Sequence, residues 1–173
     1  MQHFEINNRK LKTILADIES GKIAMPEIQR PFVWDSTKVR DLIDSIYKGF
    51  PIGYIITSEN PDIKTKSGNI TRGKTLIIDG QQRLTALRAA VLGEIIVDEH
   101  YKKKHIYIAF NPITEKFETQ TPAINNSKDW IPDISKILGD DFSTFSFVND
   151  YVGKNPTVDL DKLNQVLGKL QNT

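Results

Sequence analysis

A chain of 173 residues, 39% apolar and 26% charged with a net charge of +1, can bury a sizeable core but has no global attraction to nucleic acid or anionic membrane. Any polyanion contact must therefore be local. The lack of cysteine excludes disulfides, thiolate metal sites and cysteine nucleophiles. No leader peptide opens the chain and no apolar run approaches the ~18 residues of a membrane span, so a cytoplasmic protein is expected.

Leu11, Ile14, Leu15 and Ile18 recur at helical spacing before Gly21, which predicts an amphipathic first helix. Between a short strand and the next helix lies the loop Met25-Pro26-Glu27-Ile28-Gln29-Arg30-Pro31-Phe32-Val33-Trp34-Asp35, stiffened by Pro26 and Pro31. It reads two ways. Gln29, Arg30 and Trp34 would offer an amide, a guanidinium and an aromatic surface to a nucleotide. Alternatively, Phe32 and Trp34 are core anchors and Arg30 pairs with Glu27 or Asp35. Val39, Leu42, Ile43, Ile46 and Tyr47 then predict a second helix, N-capped near Asp35-Ser36 and closed by Gly49. A strand from Ile52 to Thr57, a polar loop from Ser58 to Gly73 and a buried strand from Thr75 to Ile78 follow.

Gly68-Asn69-Ile70-Thr71-Arg72-Gly73-Lys74-Thr75 matches G-x-x-x-x-G-K-[ST] letter for letter. A working phosphate loop follows a strand and opens a helix, whereas this match runs into a strand, so it reads as a decoy. The next stretch, Ile78-Asp79-Gly80-Gln81-Gln82-Arg83-Leu84, has the required order: an apolar run ends in Asp-Gly and turns at once into a helix. Amides at a helix start lack intrahelical partners and face the positive end of the dipole, an arrangement that suits phosphate. Arg83 in the first turn opposes that dipole unless an anion sits between. Asp79 as N-cap with Gln82 as its capping-box partner is the structural alternative, and the two uses can coexist.

Leu84, Leu87, Ala90 and Val91 give the third helix its apolar face, ended by Gly93. Lys102-Lys103-Lys104-His105 reads as a solvated turn, with contact to a DNA backbone as the second reading. His105 to Phe110, a turn at Asn111-Pro112-Ile113-Thr114, and Lys116 to Thr119 predict a hairpin lengthening the sheet. His3, His100 and His105 form no helical ligand pair for a metal. Beyond Thr121, apolar spacing at Ile134 to Leu138, Phe142 to Tyr151 and Leu160 to Leu170 predicts a helical tail. The expected division is a nucleotide-binding domain over 1–120 and a helical extension over 121–173, either the front of a larger protein or a frayed natural end.

Gln29-Arg30-Pro31, then Phe50-Pro51-Ile52-Gly53, then Asp79-Gly80-Gln81-Gln82-Arg83, in that order, resemble the N-terminal domain of GmrSD-type, modification-dependent restriction systems. That family is in turn similar to the ParB/sulfiredoxin superfamily, in which comparable elements bind nucleotide phosphates. The resemblance implies an α/β (α+β) fold, a small mixed sheet flanked by helices. It also implies nucleotide binding and hydrolysis coupled to DNA sensing, with a nuclease domain outside this chain. The site expected from residues and resemblance together is a cleft for GTP, ATP or CTP with Mg²⁺. Gln29, Arg30, Gly80, Gln82 and Arg83 would bind the nucleotide, while Asp79, Gln81, Gln82 and Arg83 would serve catalysis. Asp79 would hold the metal or only cap the helix, and Gln81 or Gln82 would orient the attacking water. Two rivals remain: a DNA-binding or partner-docking module whose nucleotide is an unhydrolysed switch, and a nuclease using Asp79, Glu27 and Asp35 as metal ligands.

Overall fold

The computed structural model of the chain describes residues 5–25, 31–59, 75–139 and 142–172. Helices and short strands alternate and then give way to helices, so the architecture is the α+β arrangement expected. By packing the chain falls into two units. One is 1–29 with 54–81; the other is 30–53 with 82–172.

In the first unit, α1 (Leu11–Glu19) buries Leu15 and Ile18. Its sheet has the order β1-β3-β2, with β1 (Ile23–Ala24) parallel and β2 (Ile56–Glu59) antiparallel to the central β3 (Thr75–Asp79). The sheet is thus small and mixed. Ile77 is fully buried in β3, while all four residues of β2 are exposed. The strand expected from Ile52 begins only at Ile56. Pro51 has no amide to pair, and Gly53 takes φ +87, outside extended geometry. Of the G-x-x-x-x-G-K-[ST] match, residues 68–74 lie outside the described residues, and Thr75 opens β3.

In the second unit, α2 (Ser36–Tyr47) presents Val39, Leu42, Ile43 and Tyr47 to the core. α3 (Gln81–Val91), all but its first residue in this unit, buries Leu84, Ala86, Leu87, Ala89 and Ala90, a wider surface than one apolar stripe. β6 (Ile108–Asn111) and β7 (Lys116–Thr119) form the expected antiparallel hairpin, but as a sheet of their own. The hairpin cannot lengthen another sheet along β6, because Ile131 occupies that edge through a pair of 2.8 Å backbone hydrogen bonds with Phe110. Tyr47 packs edge-on against Phe110 and Phe117 at 5.5 and 5.3 Å. Its hydroxyl donates to Glu115 at 2.7 Å, and Arg40 reaches Glu118 at 3.0 Å, so α2 grips the hairpin at both ends.

The lysine run differs from expectation. Lys103–Lys104 is a strand, β5, antiparallel to β4 (Ile96–Val97), where a solvated turn was predicted. α4 (Pro122–Asn125), α5 (Ser135–Leu138), α6 (Thr144–Lys154) and α7 (Leu160–Gln171) complete the unit. α7 turns Leu163, Val166, Leu167 and Leu170 inward at helical spacing. Among the described residues, no helix is long and apolar enough to cross a membrane.

Candidate functional site

β3 ends in Asp79, an exposed residue, and the chain turns through Gly80 into α3 at Gln81. Gly80 is buried with φ +93, a conformation closed to most side-chain-bearing residues. The glycine sharpens the turn, so the first-turn amides of α3 follow the strand directly. Such amides have no acceptor within their own helix and stand at the positive end of its dipole. This strand-turn-helix order is what a phosphate cradle needs. Gln81, Gln82 and Arg83 are all half-buried.

Gln82 and Arg83 each grip a loop. The Gln82 carboxamide donates through Nε2 to the Pro31 carbonyl at 3.0 Å and accepts through Oε1 from the Val33 amide at 3.2 Å. It therefore pairs with both sides of Phe32 as a neighbouring strand would. Phe32, 4% exposed, is the core anchor of its loop, and its amide donates to the Val97 carbonyl of β4 at 3.4 Å. Arg83 donates from Nη1 to the Ile52 carbonyl at 2.6 Å. A Cβ on Gly53 would run into that guanidinium, so glycine there serves both the backbone conformation and the close approach. Residues 31–33 enter α2 and residues 50–53 leave it. Two consecutive side chains of α3 thus hold both ends of α2.

The Asp35 carboxylate caps α2, accepting from the Lys38 amide at 2.7 Å, and the Lys38 ammonium lies 4.5 Å over the half-buried Trp34 ring. Glu27, Gln29 and Arg30 lie outside the described residues. Among the described residues, no group of three or more His, Asp or Glu side chains is placed to hold a metal ion. His100 and His105 are both exposed, and His105 stacks on Tyr107. Sequence reasoning quoted Phe50-Pro51-Ile52-Gly53 without reading its role. The signal was a glycine two residues after a proline, where a left-handed turn leaves a carbonyl to be claimed.

The family model described as the GmrSD restriction endonuclease, N-terminal domain, matches residues 11–169. The chain belongs to that family. The GmrSD N-terminal domain match runs through both packing units and includes the whole β3–α3 junction, and it makes the chain a domain of restriction-system type. Among curated proteins, the chain is similar to an uncharacterised protein, MJ0686, of Methanocaldococcus jannaschii, at 32% identity over 99 residues. That alignment covers 49% of this chain and 17% of the relative's length.

Proposed function

We propose that this GmrSD N-terminal domain binds a nucleoside triphosphate, GTP, ATP or CTP, at the opening of α3 and hydrolyses it. In this reading it is the regulatory domain of a DNA-modification-dependent restriction protein whose DNA cleavage resides in a separate nuclease domain. The observation that carries the reading is the buried, positive-φ Gly80 that joins β3 to the first-turn amides of α3. Phosphoryl transfer needs positioning and electrostatics more than a protein nucleophile, and a helix start supplies both.

The residues fit Mg²⁺ held with a nucleotide better than a stand-alone metal. Mg²⁺ commonly takes one or two carboxylates and completes its shell with water and substrate phosphates, and Asp79 beside the helix start is one such carboxylate. With Gln82 engaged on Pro31 and Val33, orienting a water falls to Gln81. The Ile52 anchor orients the Arg83 guanidinium, whose charge suits phosphate. In this reading Gln29 and Arg30 also bind the nucleotide. Asp35, the third carboxylate of the nuclease alternative with Glu27 and Asp79, is already committed to capping α2.

A second reading is favoured by the grips of Gln82 and Arg83 on the loops flanking α2: a bound phosphate drawing on Arg83 would act on the end of α2 without any hydrolysis. Phosphate release from each triphosphate with Mg²⁺ separates the two. Turnover that Gln81→Ala lowers at least tenfold, with binding retained, supports the hydrolase. Binding without turnover supports the switch, and failure to bind any of GTP, ATP, CTP and UTP removes both.

A further inference from the structure

The lysine run, unused by the proposed nucleotide site, lies on a face with a different chemistry. Lys103 in β5 stands opposite Val97 in β4, so both point to the same side of the ribbon. Residues two apart in an extended segment share a side. Lys103, His105 and Tyr107 are exposed on that side, whereas Ile106, between them, is 2% exposed on the other. The His105 and Tyr107 rings stack with centroids 5.4 Å apart and planes only 6° from parallel, and both residues are exposed to solvent. Tyr101 projects from the β4–β5 turn, 85% exposed, with φ +58. A bulky aromatic in the left-handed region is uncommon where glycine or asparagine would serve, so this tyrosine is held outward against its backbone preference.

We propose that Lys103, His105 and Tyr107, with Tyr101 at the hairpin tip, form a stacking surface for the unpaired bases of single-stranded nucleic acid. Charge selects this occupant over an apolar peptide. Lys103 shares the side of the rings, with Lys102 and Lys104 next to it in the chain, and the carboxylates nearest in sequence are Asp98 and Glu99. Asp98 is engaged in closing the turn, accepting from the His100 and Lys102 amides at 2.9 Å, and Glu99 lies 3.8 Å from the His100 ring. Rings that face solvent stack on base faces, which a duplex hides and a single strand presents. Lysines beside them meet the phosphates of the same strand.

Fluorescence polarisation tests this with a labelled oligothymidine of about 12 nucleotides, a length within the range of known single-strand sites, and a duplex of equal length. The protein is the 173-residue chain in low salt. The single strand binds at least about tenfold tighter than the duplex; Tyr107→Ala weakens it about tenfold, the effect of losing one stacked base, while Tyr107→Phe retains it. Lys103→Gln lowers the salt slope by about one. Circular dichroism confirms that each variant is folded. Absence of binding, equal affinity for the duplex, or an unchanged affinity in Tyr107→Ala overturns the proposal. So does self-association that Tyr107→Ala abolishes, which would assign the face to a second copy of the chain. No triphosphate is present, so this result and that for the nucleotide site are independent.

Discussion

Among the described residues, the two packing units differ in what they bury. Among its described residues, the first unit buries the apolar side chains of Leu15, Ile18, Ile23 and Ile77, and one strand of its sheet is exposed along its whole length. The second encloses an aromatic cluster of Tyr47, Phe110 and Phe117, a hairpin strand buried at every residue, and the inner faces of α2, α3 and α7. Asp79, Gly80 and Gln81 fall in the first unit, Gln82 and Arg83 in the second. Low packing density is where local opening is least costly.

Truncating each core puts the largest numbers on that contrast. Phe110→Ala should cost about 3–5 kcal/mol in denaturant unfolding, the range for a fully enclosed phenylalanine. Ile18→Ala, 9% exposed in the first unit, should cost about 2 kcal/mol, and should appear as faster amide exchange in α1 while α3 and β6 keep their protection. Equal loss of protection everywhere would erase the distinction between the units.

The loop grips come next. Gly53→Ala meets both an unfavourable φ and the Arg83 guanidinium, and should cost about 1–3 kcal/mol. Gln82→Ala removes two hydrogen bonds near the surface, about 1–2 kcal/mol, and should raise exchange at the Val33 amide. An unchanged Val33 amide would show that the loop holds itself.

The smallest effects are those of pH, and two of them fall in the second unit. Burial and the nearby Asp129 carboxylate push the Tyr151 phenol up to about 12 from an ordinary 10.0. The folded state holds that proton more tightly than the unfolded, so its contribution is complete below pH 10 and is lost as pH rises through 12. The Tyr47 hydroxyl, then Lys169, holds the Glu115 carboxyl below its ordinary 4.5. That contribution is complete above pH 4.5 and drains away as pH falls below it. Tyr151→Phe should flatten the alkaline limb of a stability profile and Glu115→Gln the acid limb.

Helices were legible from sequence wherever one apolar stripe met one core, as in α1, α2 and α7, because a period of 3.6 survives without tertiary information. The hairpin of β6 and β7 was legible for the same reason, through its turn residues. The edges were not. Residues 52–55 look strand-like by composition, but Pro51 and Gly53 break the extended backbone, and the claim of Arg83 on the Ile52 carbonyl is a long-range bond that no local pattern announces. The pairing of Lys103–Lys104 with Ile96–Val97 was masked because two lysines carry no apolar alternation. At the site, the strand-turn-helix order around Gly80 could be read directly. The use of the Gln82 carboxamide as a surrogate strand could not, since capping and clasping demand the same side chain.

The account stands or falls on whether the α3 opening holds a triphosphate. Titration calorimetry of the chain with GTP, ATP, CTP and UTP in Mg²⁺ measures this directly, with Gly80→Ala, Arg83→Ala and Lys74→Ala alongside. The account predicts saturable binding of at least one triphosphate, weakened at least tenfold by Gly80→Ala and by Arg83→Ala and unchanged by Lys74→Ala. Binding abolished by Lys74→Ala and indifferent to Gly80 and Arg83 would contradict it and hand the phosphate to the G-x-x-x-x-G-K-[ST] loop.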